Sequence, residues 1–284
     1  MPEETNKKTR SFDHSSGISI LGCGWFGLSL ASALVKTGYR VSGSTTSPDK
    51  LKLMEAAHIN AFFVNFQQEE SSYDPLFFGQ EVLLINIPPK RSSGEQDSFL
   101  PKITQIAGAA VKHGVKQIIF ISSTAVYGDH NEKITEASPL RPDTASGKAM
   151  ADTEQYLIHH PAFTTTIIRF AGLVGPGRNP GRFFSGKSGI ANGQAPVNLV
   201  HLDDCIGVVK RIIERKAFGN IYNVCCPHHP QRQEFYTKAA IRSQLPAPAF
   251  TDELLKWKIV ESTNVPLFLD YSYKTSSWNM PYEV

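Results

Sequence analysis

Short, nearly continuous apolar segments alternate along the chain with amphipathic helical stretches, and this alternation restricts the fold more than any other feature. Residues 18–21, 40–43, 61–65, 82–87, 117–122 and 165–169 read as strands, and residues 25–36, 48–57, 98–113 and 146–158 read as helices. Strands without polar alternation are buried on both faces, and helical crossovers between them require a parallel sheet covered on both sides. The 284 residues, 41% of them hydrophobic, suffice for one large core with a smaller appended lobe.

The first strand runs into Gly22-x-Gly24-x-x-Gly27, which opens the apolar run from Leu28 to Val35 and is closed by Thr37-Gly38. In that strand–turn–helix setting each glycine has a task. Gly22 makes the tight turn, Gly24 lets backbone amides approach a pyrophosphate, and Gly27 lets the helix pack closely on the strand. The phosphates then meet the positive end of the helix. The expected architecture is α/β, a Rossmann-type doubly wound parallel sheet binding a dinucleotide across residues 17–170. Residues 171–284 are assigned mostly to a smaller substrate lobe, with some segments returning to the sheet.

Net charge is +3, without a basic block or interleaved aromatics, so neither nucleic acid nor an anionic membrane is indicated as a partner. Cys23, Cys205, Cys225 and Cys226 form no C-x-x-C pair and no metal-ligand spacing with histidine. They read as small buried residues in a reduced, cytoplasmic setting, and no metal is expected. Residues 1–16 are polar, lack a signal-peptide core and read as a disordered tail.

A second constellation lies downstream. The strand at residues 117–122 ends in Ser122-Ser123-Thr124-Ala125-Val126-Tyr127-Gly128, followed by Thr144-x-x-x-Lys148. A strand that delivers hydroxyls at its end, with a lysine on the next helix, builds an active site. Beyond Arg169, the loop from Gly172 to Arg182 is rich in glycine and proline, a texture that carries binding rather than core. It is followed by a helical patch expected near 183–192, a strand near 197–200, helices near 203–214 and 233–244, and a strand at 221–224.

The glycine turn, the Ser122 to Gly128 block, Arg169 with Gly175-Pro176-Gly177, and Asn198-Leu199-Val200-His201-Leu202-Asp203-Asp204 together resemble the extended short-chain dehydrogenase/reductase superfamily. Gly22-Cys23-Gly24-Trp25, Ile87-Pro88-Pro89 and the Pro176 to Arg182 run resemble, more narrowly, its atypical bacterial NAD(P)-dependent epimerase/dehydratase subgroup. The resemblance spans about residues 17–260. It implies an oxidoreductase, epimerase or dehydratase, with Gly22, Cys23, Gly24, Trp25, Phe26, Gly27, Thr45, Thr46, Ser47, Ile87, Pro88, Pro89, Lys148 and Leu173 around the cofactor. Tyr127, Gly175, Arg178 and Arg182 are placed on the substrate side, and a homodimer is implied.

In the superfamily the serine four residues before the V-Y-G tyrosine binds the reacting oxygen, which falls on Ser123. The catalytic pair is Tyr-x-x-x-Lys, and here its spacing is met by Thr144 and Lys148. An aliphatic hydroxyl is a poor general acid or base beside a tunable phenol. Two roles for Thr144 stand open, a hydrogen-bonding or water-relay group and an N-terminal helix cap. Loss of the tyrosine also leaves a second function open, a dinucleotide-binding sensor without catalysis. Tyr127, the nearest phenol in sequence, is weighed as a substitute for the missing catalytic tyrosine against a packing role, and packing is preferred.

The end of the second strand, residues 41–47, about 20 residues past the glycine turn, holds no carboxylate, where one would mark NAD. Thr45, Thr46 and Ser47 could cradle a 2′-phosphate, so NADP is favoured over NAD. Arg178 and Arg182 suit phosphate or carboxylate oxygens and indicate an anionic substrate such as a nucleotide sugar, against a solvated loop charge. Lys90 and Arg91 read as surface charges, His201 as structural, Asp203 as a helix cap, and His228-His229 as a solvent-facing turn.

Overall fold

The computed structural model describes residues 17–67, 71–89 and 96–279. The expected N-terminal tail, Lys90 and Arg91 lie outside the described residues. In chain order the first half contains β1 (Gly17–Leu21), α1 (Trp25–Val35), β2 (Arg40–Thr45), α2 (Asp49–Ala56), β3 (Asn60–Phe63), β4 (Asn65–Phe66), β5 (Ser71–Ser72), β6 (Val82–Ile85), α3 (Gln96–Lys112) and β7 (Gln117–Ser123). The second half contains β8 (Glu132–Ile134), α4 (Ala145–Ile158), β9 (Thr164–Phe170), β10 (Gly172–Val174), β11 (Leu199–His201), α5 (Leu202–Arg215), β12 (Ile221–Val224), α6 (Arg232–Arg242) and β13 (Lys258–Val260).

Seven of these strands form one sheet in the order β12-β9-β7-β6-β1-β2-β3, every pair parallel. The central strands β1 and β6 are buried along their whole length, which is why their sequences show no polar alternation. Helices α1 and α5 pack together, as do α3 and α4. The strand order reverses between β1 and β6, and in such sheets a crevice opens there at the carboxyl ends of the strands.

Chain beyond residue 170 serves both parts of the molecule. β12 returns to the edge of the main sheet beside β9, whereas Val174, Val197, Leu199, Cys226, Phe235, Tyr236 and Trp278 form a second, smaller core. Two buried carboxylates fasten the C-terminal segment to both parts. Asp204 on α5 accepts from the Tyr271 hydroxyl at 2.9 Å and from the amides of Lys274 and Thr275 at 2.7 and 3.0 Å. Glu136 accepts from the amides of Asn223, Thr263 and Asn264 and from the Thr263 hydroxyl.

Three local expectations are corrected. Residues 183–192 form turns instead of a helix, because Gly186, Gly189 and Asn192 adopt left-handed backbone with φ of 72°, 64° and 69°, which breaks helical hydrogen bonding. The third strand ends at Phe63, where its pairing with Thr45 stops, and Asn65 pairs instead with Ser72 in an antiparallel ribbon. Helix α5 is capped by His201, whose ring nitrogen accepts from the Asp203 amide at 3.2 Å, so Asp203 is a first-turn carboxylate and not the cap.

Candidate active site

The glycine turn is held from three sides. The Gly22 amide donates to the Ser44 hydroxyl at 3.0 Å, the Cys23 amide to the Ser44 carbonyl at 2.9 Å, and the Asn86 side chain to the Gly22 carbonyl at 2.9 Å. Gly22 has φ of 101°, and a Cβ there would lie 2.6 Å from the Asn86 carbonyl oxygen. A Cβ on Gly27 would lie 2.2 Å from the Gly22 carbonyl oxygen, so α1 rests directly on the turn. Gly24 differs, since a Cβ there would meet nothing within 4 Å. The open face above Gly24 lies at the start of α1, whose first turn has no side-chain cap and no acidic residue. Its leading amides lack intrahelical partners and suit an anion.

A groove of about 320 Å³ leads away from this turn. It is lined by Gly22, Cys23, Gly24, Ser44, Thr45, Thr46, Ile87 and Pro88, together with Lys50, Asn65, Phe66 and Lys102. Thr45 accepts from the Ser47 amide at 3.0 Å, which turns the chain from β2 into α2. The residues present therefore fit a dinucleotide, with amides for phosphate at one end and hydroxyls with Lys50 at the other. Phe26 and Pro89 are buried, and Phe26 stacks edge-on against Phe170 with ring centroids 5.0 Å apart. Leu173 sits partly buried on β10, packed against the main core. Burial pushes the Cys23 thiol up to about 12, consistent with packing in place of redox chemistry.

Strand β7 delivers Ser123 to the same edge of the sheet. Its hydroxyl accepts from the Ala125 amide at 3.2 Å, closing a 3-10 turn over Thr124–Tyr127 and leaving its own proton to donate outward. That turn packs on the start of α4, where a Cβ on Gly147 would come within 2.7 Å of the Ala125 carbonyl oxygen. Ser123 and the first turn of α4 are thereby brought together. Thr144 is the N-cap of that helix, its hydroxyl accepting from the Gly147 amide at 3.1 Å. Lys148, one turn on, is exposed.

Tyr127 departs from its expected place. It is 1% exposed, and its hydroxyl accepts from Arg169 at 2.6 Å and donates to Asn223 at 2.8 Å. A side chain so enclosed does not reach a substrate. Burial raises its phenol above the ordinary value, and the neighbouring Arg169 charge only partly offsets that, so Tyr127 stays protonated. Arg169 in turn pairs with Glu154 at 2.6 Å, and Ser122 donates to the same carboxylate. Glu154 was not anticipated, yet the sequence carries a signal for it. It follows Gly147 and Met150 on the apolar face of α4, where a carboxylate needs a buried cation.

The glycine- and proline-rich loop separates its two arginines. Gly175, with φ of 144°, is buried and closes a tight turn with Arg178, their backbone bonds being 2.8 and 3.4 Å. Arg178 lies over the Trp25 ring, 5.0 Å from its centroid. Arg182 ends a 3-10 turn packed on α6, where the Asn179 side chain bonds Ser243 at 2.9 Å. His228 and His229 are half-buried and tied to the backbone of Trp278 and Val197, not turned out to solvent. Among the described residues no helix is long and apolar enough to cross a membrane.

Sheet order and glycine turn define a Rossmann-type dinucleotide-binding fold. The NAD(P)H-binding family matches residues 22–197, and the chain belongs to it. Protein YeeZ of Escherichia coli K12 is 35% identical over 262 residues, covering 90% of this chain and 95% of that protein. A UDP-glucose 4-epimerase of Dictyostelium discoideum is 27% identical over 222 residues, which cover 71% of this chain and 62% of that enzyme. The fold matches that of a UDP-glucuronic acid 4-epimerase from Bacillus cereus in complex with NAD, with a TM-score of 0.71, 19% identity and coverage of 91% and 94% of the two chains.

Proposed function

We propose that the protein is an NAD(P)-dependent oxidoreductase of the epimerase/dehydratase kind acting on an anionic, sugar-linked substrate. The observation that supports this is the packing of the Thr124–Tyr127 turn, which follows Ser123, on the first turns of α4, the helix that carries Lys148. When bound, a nicotinamide supplies two-electron redox chemistry. Gly24 and the leading amides of α1 hold the cofactor's phosphates, and Lys148 holds its ribose. The Ser123 hydroxyl, already oriented by Ala125, donates to the reacting oxygen of the substrate. Relatives named for UDP-glucose and UDP-glucuronic acid support a nucleotide sugar. NADP is favoured over NAD because no carboxylate ends β2 and Lys50 lines the groove beside Thr45 and Thr46.

A second reading, a cofactor-binding sensor without turnover, is favoured by the use of the Thr144 hydroxyl as a helix cap and by the burial of Tyr127. A panel of nucleotide sugars with each cofactor, followed by nicotinamide absorbance and product analysis, separates the two. Turnover that falls by about a hundredfold in Ser123→Ala and Lys148→Ala supports the enzyme. Absence of turnover in the parent, with turnover gained in Thr144→Tyr, supports the sensor. Failure of both NAD and NADP to bind below about millimolar removes both readings.

A further inference from the structure

Arg178 sits on the substrate loop, yet the contacts it makes belong to the glycine turn. The Trp25 indole donates to the Pro176 carbonyl at 2.6 Å, and the Arg178 guanidinium covers the same ring at 5.0 Å from its centroid. A Cβ on Gly177, with φ of 79°, would stand 3.8 Å from the Trp25 ring nitrogen, so the backbone of this turn passes close over the indole. The Gly175–Arg178 backbone bonds fix the turn itself. Trp25 is the first residue of α1 and follows Gly24, whose outer face is open. Residues 176–178 therefore lie against the side chain of the residue that opens α1, and Arg178 brings a permanent cation to that end of the helix. The first turn of α1 contains no charged residue of its own. A guanidinium flat on an aromatic face keeps its edge available for oxygen acceptors, a geometry a lysine ammonium does not reproduce.

The geometry points to Arg178 as a counter-cation of the dinucleotide pyrophosphate, held in place by Trp25, with residues 176–178 forming a strap from the substrate lobe across the cofactor site. This rests on the cofactor reading above and reassigns Arg178 from substrate to cofactor. Arg182, packed with its turn against α6, keeps the substrate-side role. Cofactor occupancy and substrate-loop position become linked, because both act on one arginine and one indole.

Calorimetric titrations of NAD, ADP-ribose and adenosine into the parent, Arg178→Ala and Arg178→Lys test the assignment. The expected result is a rise in Kd of about tenfold or more for NAD and ADP-ribose in Arg178→Ala, a smaller rise in Arg178→Lys, and adenosine affinity unchanged. The salt dependence of NAD binding also becomes shallower in Arg178→Ala. In a Trp257→Phe, Trp278→Phe background, Trp25 emission changes on NAD binding. NAD and ADP-ribose affinities equal to the parent's in Arg178→Ala overturn the assignment while leaving the cofactor reading intact. A parent that binds neither these three probes nor NADP overturns both.

Discussion

Arg169 bonds the Tyr127 hydroxyl at 2.6 Å while it pairs with Glu154, also at 2.6 Å. The tyrosine nearest to Ser123 in sequence is thus a member of the core and takes no proton from a substrate. Arg169 and Glu154 are 2% and 0% exposed at their side chains. Removing one partner from such a pair leaves the other charge buried, at a cost of about 3–5 kcal/mol. Glu154→Gln is expected to lower the unfolding midpoint in denaturant sharply, whereas Tyr127→Phe costs about 1–3 kcal/mol. Equilibrium unfolding by circular dichroism measures both.

Lys50 stands on the first turn of α2 and lines the groove beside the glycine turn with Thr45 and Thr46. Lys50→Ala is expected to raise the Kd for NADP about tenfold and to leave that for NAD within about twofold. Equal effects on the two cofactors would count against a 2′-phosphate contact.

Thr144 caps α4 through the Gly147 amide. Thr144→Ala is expected to destabilise the fold by about 1 kcal/mol, and Thr144→Ser to restore most of that. Thermal unfolding of the three proteins decides it, and a neutral alanine variant would show that the cap contributes nothing.

Burial holds the His229 imidazole below its ordinary value, and its bond to the Val197 carbonyl only partly offsets that. The unfolded chain then takes up the proton first. Its contribution to stability is complete above about pH 6.5 and is lost as pH falls toward the depressed value. His229→Gln is expected to flatten the fall in melting temperature between about pH 6.5 and 5. An unchanged profile would assign that fall to other groups.

The four thiols are buried, and burial raises each of them, Cys23 to about 12 and Cys226 to about 11, with Cys205 and Cys225 also well above the ordinary value. Thiolate is the reactive form. The native protein is expected to resist thiol-directed disulfide reagents near pH 8 and to release all four on denaturation. Rapid native labelling of any one would contradict the packing at that site.

The centre of the sheet was legible because buried strands such as β6 (VLLI) and most of β7 (QIIFISS) advertise themselves as apolar runs, whereas β2 and β9 carry polar residues within them. The glycine turn was legible because the positive φ at Gly22 and the close approach of Gly27 to the Gly22 carbonyl act within six residues. The helix forecast at 183–192 failed because its apolar spacing was overridden by left-handed backbone at Gly186, Gly189 and Asn192. The position of Arg178 could not be read because its partner, Trp25, lies about 150 residues away, and local pattern carries no information on such a contact. Tyr127 misled for the opposite reason. Its place in a recognisable block put it on the substrate side, while the groups that enclose it, Arg169 and Asn223, come from neighbouring strands.

The return of β12 to the main sheet, with Asp204 and Glu136 fastening residues 263–275, bears on any attempt to divide the molecule. A chain ended near residue 170 would lose an edge strand and α5, the helix packed on α1, leaving the apolar faces of β9 and α1 bare. Such a fragment would aggregate in preference to binding a cofactor. The two cores are drawn from interleaved stretches of chain, and any exchange of the smaller one between relatives would have to respect that weave.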